Sequence, residues 1–300
     1  MPNLEKSLSW CLYFCRVAVC IVFGVWTYDK FARPEHGVQT LESFYWIPGV
    51  PEVAVSAFAF LQLVMLILLL TGLFKPLIRG YFLFLSLLTV LAPGALLGYI
   101  SAFSQQPHPT ILFYTNFCVL ACAFAIYYLR DYDTKLSLKG NNHTEADAAS
   151  SKSLTLDIRA SLALCRFGVF LVFFVWTLAK FTHPEHGVNI MRGHYMVEGV
   201  AELAISLFGL FGLFELGLVV AMLLGYWKRI GRGFFLLISI YSVMTPRVLG
   251  GYEIFFSRQS EPQIFLFPGF AMLACAIAIY WLREYDTWLS WADRVHSSKV

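Results

Sequence analysis

The chain has 300 residues, 58% of them hydrophobic and 14% charged, with a mean hydropathy of +0.66 and a net charge of +3. A soluble domain carries about a quarter charged residues, so this composition excludes a water-soluble globule and points to an integral membrane protein. The mild charge and the lack of any basic run interleaved with aromatics give no footing for nucleic acid and leave the lipid bilayer as the first partner.

An apolar stretch of about 20 residues crosses a bilayer as a helix. Eight are predicted, at roughly 9–29, 50–73, 77–99 and 110–130, then at roughly 160–179, 199–226, 231–250 and 264–283. The expected fold class is all-α integral membrane, with eight transmembrane helices arranged as two parallel four-helix repeats. The first run ends in Trp26 and Tyr28 rather than a small-x-small cleavage site, so it reads as a retained span. Trp26, Tyr45, Trp46, Trp176, Tyr195 and Trp227 suit the interfacial aromatic belt.

The stretch from Val25 to Val38 returns 150 residues later as Val175 to Val188: an apolar run, Trp, Lys-Phe, then Pro-Glu-His-Gly. Arg16 matches Arg166, Trp26 matches Trp176 and Glu52 matches Glu202 at the same offset. Further on the offset becomes 153. Pro93 matches Pro246, and Arg130-Asp131-Tyr132-Asp133-Thr134 matches Arg283-Glu284-Tyr285-Asp286-Thr287. Three residues are therefore inserted in the second copy's second helix or the turn after it. Four spans per copy is an even number, so both copies insert the same way up. The expected units are 1–138, a polar linker 139–155, 156–292, and a tail 293–300. The linker is flexible by composition.

Lys30, Arg33, Lys180, Arg192, Arg247 and Arg258 fall on one side of this topology, and the remaining 16 of the 22 basic residues on the other. The positive-inside rule then places both termini in the cytoplasm and both Pro-Glu-His-Gly segments outside.

The candidate ligand site is the pair of outer lips: Trp26, Lys30, Glu35, His36 and Glu52, with Trp176, Lys180, Glu185, His186 and Glu202. A charge at membrane depth is costly unless paired or snorkelling. Lys30 is expected to meet Glu52, and Lys180 to meet Glu202. Each pair reads either as a structural ion pair or as part of a ligand site. Deeper lie Arg16, Gln62, Arg166 and Glu215. Counting helix rise from the lips puts Arg166 level with Glu215, and Arg16 level with Gln62, so these are expected to pair. The acid-to-amide change at Gln62 assigns any proton or ion role to the second copy.

His183, His186 and His194, with His36, are a candidate zinc or copper site, against the plainer reading of solvated lip histidines. No histidine lies within a span, which argues against intramembrane haem. The seven cysteines all lie in apolar runs without a CxxC pair, and read as small hydrophobes, with a redox or metal role as the alternative. No Walker loop, G-x-S-x-G or GxGxxG at a strand end appears.

In each copy an Arg is followed ten residues on by Trp, then by Lys-Phe, a lip loop and Gly-x-x-Glu opening a second span. The residues are Arg16, Trp26, Lys30, Phe31 and Glu52, and Arg166, Trp176, Lys180, Phe181 and Glu202. That order resembles the DoxX-like group of four-helix membrane proteins, and two such units look fused here. The resemblance covers nearly all of both halves. It implies a bacterial inner-membrane protein in redox or envelope physiology, since the group includes a quinone-linked thiosulfate oxidoreductase subunit and relatives that assist maturation of periplasmic enzymes. The expected function is a redox-associated subunit binding a quinone-like ligand near the outer face. It requires a redox or periplasmic partner, because the sequence carries no electron-carrier motif. The alternatives are a transporter or metal-handling protein using the outer histidines, and a structural or assembly factor.

Overall fold

The computed structural model describes residues 2–101, 114–135, 148–182, 201–245, 249 and 267–288, and their side chains except those of 2–3, 101, 148–153 and 201–208. In chain order the helices are α1 (Pro2–Ala32), α2 (Pro34–Ser43), α3 (Glu52–Thr71), α4 (Lys75–Leu91), α5 (Pro93–Ser101), α6 (Asn116–Tyr128), α7 (Ala148–Thr182), α8 (Ala201–Leu224), α9 (Lys228–Met244) and α10 (Gly269–Trp281). No strand occurs among the described residues.

Three helical stretches among the described residues are long and apolar enough to cross a membrane: Leu4–Ala32, Glu52–Thr71 and Leu154–Thr182. A fourth span is made if Lys75–Leu91 and Pro93–Ile100, bent by 47°, are taken together. The bend has a local cause. Pro93 forces Ala92 out of helical geometry, to ψ 139°, because the proline ring clashes with a helical predecessor. The predicted continuous span at 77–99 is thus a broken one.

The burial pattern is that of a helix in lipid. On α3, Val55, Ala59, Gln62, Leu66 and Leu69 are buried, at spacings of three and four that mark one helical face. Its other faces expose Phe60, Leu61, Leu63, Val64, Ile67 and Leu70. Gln62 points inward while large apolar side chains point out, the reverse of a water-facing helix. An exposed apolar surface of that extent marks a membrane or partner contact.

Helix α1 packs on α3, α6 and α10, and α7 packs on α8, α6 and α10. Helix α4 lies on α6, and α9 on α10. Helices α6 and α10 also touch, and their approach is set by thiols. The Cys122 and Cys275 Sγ atoms are 3.6 Å apart. Cys122 donates to the Ala271 carbonyl at 3.6 Å, and Cys275 to the Cys118 carbonyl at 3.5 Å. All seven cysteines are free and buried. They pack among the apolar core residues, and the thiols of Cys122 and Cys275 bond helix carbonyls.

On α7, Gly168 makes a similar approach to α6. A Cβ there would lie 3.3 Å from the Cys118 backbone nitrogen and Cα and 3.2 Å from its sulfur. Small residues let membrane helices approach closely where no hydrophobic effect drives them together. Gly168→Val is expected to cost about 1–3 kcal/mol by overpacking, read as a lower melting temperature of the purified protein. Gly24→Val, where a Cβ meets nothing within 4 Å, is the control and should stay near wild type.

The turns after α3 and α8 match. Gly72 and Gly225 have φ of +70° and +78°, and Phe74 and Trp227, two residues on, have φ of +47° and +46°. Glycine takes the left-handed cap without cost, whereas a bulky aromatic does so only when its surroundings compel it.

Candidate functional site

The ends of α1 and α7 carry the lysines singled out above, but with other partners than the lip count suggests. Lys30 donates to the Trp26 carbonyl at 3.1 Å and to the Gln62 side-chain oxygen at 3.2 Å. Its ammonium also sits 5.6 Å from the Phe58 ring centre. Lys180 forms an ion pair with Glu215, and sits 5.4 Å from the Phe211 ring centre. Thus Lys30 does not meet Glu52, and Glu215 does not meet Arg166.

Helix α2 accounts for the first correction. It follows α1 directly and packs along both α1 and α3, so it lies between the end of α1 and the start of α3. Gly37 permits the approach, since a Cβ there would lie 2.6 Å from the Val55 side chain. The Lys30 side chain lies beside Gly37 and runs back one turn along α1 to the Trp26 carbonyl, so its ammonium sits deeper than its Cα and meets Gln62, in the middle of α3, and not the first turn. Glu52 is exposed and lines a surface groove of about 550 Å³ with Glu35, Gln39 and Val50. Two of the predicted lip carboxylates, Glu35 and Glu52, thus share a surface groove on α2 and α3, while the lysine ammonium bonds Trp26 and Gln62.

The first half of the chain adds a cluster that sequence reasoning missed. Asp29 is buried and accepts an ion pair from Arg33 at 2.8 Å. Its other oxygen lies 2.6 Å from His36 Nδ1. Asp29 is thus engaged by the two cationic or donor groups of the turn into α2. At an offset of 150 in the sequence Ala179 stands in place of Asp29, and His183 and His186, at the same offset from Arg33 and His36, lie outside the described residues. The signal available in the sequence was the Asp29/Ala179 difference inside an otherwise repeated segment.

Trp26 and Trp176 pack inward. They meet Phe23 and Phe173 edge-on, with ring centres 5.1 and 5.7 Å apart. Trp46 and Trp227 are the exposed ones, at 60% and 67%, and they fit the aromatic belt. Tyr45 is covered and approaches Thr89 at 3.4 Å. Burial pushes its phenol above the ordinary value, against the hydrogen bond, which lowers it.

The deep arginines also have other partners. Arg16 Nη1 lies 3.5 Å from Asp133, and Arg79 Nη2 lies 2.7 Å from the same oxygen. In the second half Arg166 lies 3.3 Å and Arg232 2.8 Å from Asp286. All six side chains are at most 2% exposed. Arg16 is therefore bound to Asp133 and not to Gln62, and Arg166 to Asp286. Arg79 and Arg232 also donate to Ile126 and Ile279 carbonyls at 3.0 and 3.3 Å. These belong to the last turns of α6 and α10, whose orphan carbonyls form the negative end of a helix dipole. Two guanidiniums, one carboxylate and one helix end come close to electrical balance.

Asp133, Asp286, Arg79 and Arg232 were visible as matched positions in the repeat, but nothing in a linear chain says that the end of α6 folds onto the start of α4. Glu185, His186, His194 and His183 lie outside the described residues, and Glu202 contributes backbone to α8 with its side chain outside the described set. Among the described residues no three His, Cys, Asp or Glu side chains are placed to hold a metal.

Fold and site together define an all-helical protein of the membrane type, with ion clusters buried between its helices. No family model matches the chain, and no curated protein or solved structure does.

Proposed function

We propose that the chain is an inner-membrane protein of two fused DoxX-like four-helix units, with both termini cytoplasmic. On this reading it acts as a redox-associated subunit or accessory factor that binds a quinone-like ligand at the end of α1. The repeat reading is supported by the ion clusters: Arg16, Arg79 and Asp133 recur as Arg166, Arg232 and Asp286.

The observation that carries the functional reading is the company Lys30 keeps. Its two hydrogen-bond acceptors are neutral oxygens, the Trp26 carbonyl and the Gln62 amide, and the neighbouring acid, Asp29, is engaged by Arg33 and His36. An ammonium has three donors, so one remains for an oxygen from outside the chain. A quinone offers carbonyl oxygens on an apolar ring. Phe58 beside the ammonium and the exposed Phe31 after it supply apolar surface of the kind that ligand pockets use around a few polar groups. A hydrogen bond from a charged donor contributes about 1.5–3 kcal/mol. The electrons pass to or from a partner protein.

The test is the affinity of the purified chain for a decyl-substituted benzoquinone. Lys30→Met is expected to weaken binding about tenfold, or about 1.4 kcal/mol, with the melting temperature unchanged or raised. No binding by the wild-type protein, or equal binding by both, rejects the proposal.

A further inference from the structure

The two lysine cages are nearly the same cage. Lys30 has the Trp26 carbonyl and the Phe58 ring beside it, Lys180 has the Phe211 ring, and Trp176 and Thr177 stand in sequence where Trp26 and Thr27 do. Thr27 and Thr177 each donate back to their own helix, to Phe23 and Phe173, at 2.7 Å. The side chain that meets the ammonium from the facing helix differs, the Gln62 amide on α3 and the Glu215 carboxylate on α8, as does the residue before the lysine, an Asp29 engaged by Arg33 and His36 in one and Ala179 in the other.

We infer that only the first cage takes a ligand, and that Glu215 is a built-in occupant of the second. This rests on the quinone-binding reading above and adds its location and stoichiometry. The Glu215 carboxylate puts on Lys180 the kind of contact that a ligand oxygen makes on Lys30, an acceptor aimed at a buried ammonium. A carboxylate attracts the ammonium more strongly than a neutral carbonyl does, because two full opposite charges add a Coulomb attraction that a carbonyl dipole does not match. A neutral quinone oxygen does not displace it. The Gln62 amide satisfies one donor without bringing a charge of its own, so a polarised oxygen gains by approaching the remaining donor. The chain therefore binds one ligand, at the seam of α1 and α3, while at the seam of α7 and α8 Glu215 already holds the ammonium. Duplication has let one unit keep the site while the other became a strut.

Two reciprocal substitutions test this. Gln62→Glu builds the second cage's ion pair in the first and should lower affinity for the decyl-substituted benzoquinone at least tenfold while holding or raising the melting temperature. Glu215→Gln builds the first cage's arrangement in the second, and the bound quinone should rise from one per chain to two. Retained affinity in Gln62→Glu, or a wild-type stoichiometry of two, overturns the inference, as does a folded Glu215→Gln protein that still binds one. These outcomes are separate from failure of the quinone reading, which appears as no binding by the wild-type chain. Binding that Lys30→Met weakens and Gln62→Glu leaves intact keeps that reading and rejects the plug.

Discussion

Replacing Asp133 or Asp286 by alanine is expected to be the most damaging single change in the chain. Each carboxylate faces two guanidiniums at 2.7–3.5 Å, and the groups involved are at most 2% exposed. Loss of the acid leaves two buried positive charges facing each other. Breaking a buried pair by removing one partner costs about 3–5 kcal/mol, and here one acid serves two bases. The helix-end carbonyls of Ile126 and Ile279 offset only part of that, since a helix terminus carries about half a charge. Asp133→Ala and Asp286→Ala should therefore give little folded protein. The double change Asp133→Ala with Arg79→Met should recover part of the loss. The measurement is the melting temperature and folded yield after membrane extraction. A single mutant within about 0.5 kcal/mol of wild type, the range of an uninvolved surface change, would sink this account.

The second large effect is expected at Glu215. It is 3% exposed and Lys180 is 16% exposed, so the pair is mostly withdrawn from water. Glu215→Leu strands the ammonium against an apolar side chain and should cost about 3–5 kcal/mol. Glu215→Gln should cost much less, since the Lys30–Gln62 contact already shows an amide in the same role. Lys180→Met combined with Glu215→Leu removes both charges and should return close to wild-type stability, because replacing a buried pair by apolar residues is often neutral. A double mutant as unstable as Glu215→Leu alone would mean that packing, and not charge, governs the site.

Much of the arrangement was readable before any coordinates. The lysines ending α1 and α7, and the polar positions Arg16, Gln62, Arg166 and Glu215, are all members of buried clusters. What misled was the assumption that every helix begins level at the lip. Lys30 folds back along α1 and meets Gln62 and not Glu52, and Lys180 meets Glu215. Matching Lys30 with Lys180 needs an offset of 150, and matching Gln62 with Glu215 needs 153. The three extra residues therefore lie on α8 between Glu202 and Glu215, which leaves the deeper contact intact.

The character of the chain as a helical membrane protein was determined by the sequence itself, because hydropathy and helical spacing act locally along the chain. So were the identities of the residues that had to find partners, since a charge in an apolar run has no stable unpaired state. Who pairs with whom was decided only by the tertiary structure. Asp133 lies 117 positions beyond Arg16 and 54 beyond Arg79, and it reaches both because α6 packs against α1 and α4. Such contacts depend on relative helix height and rotation, which side-chain packing sets across the whole bundle and which no local stretch of residues encodes.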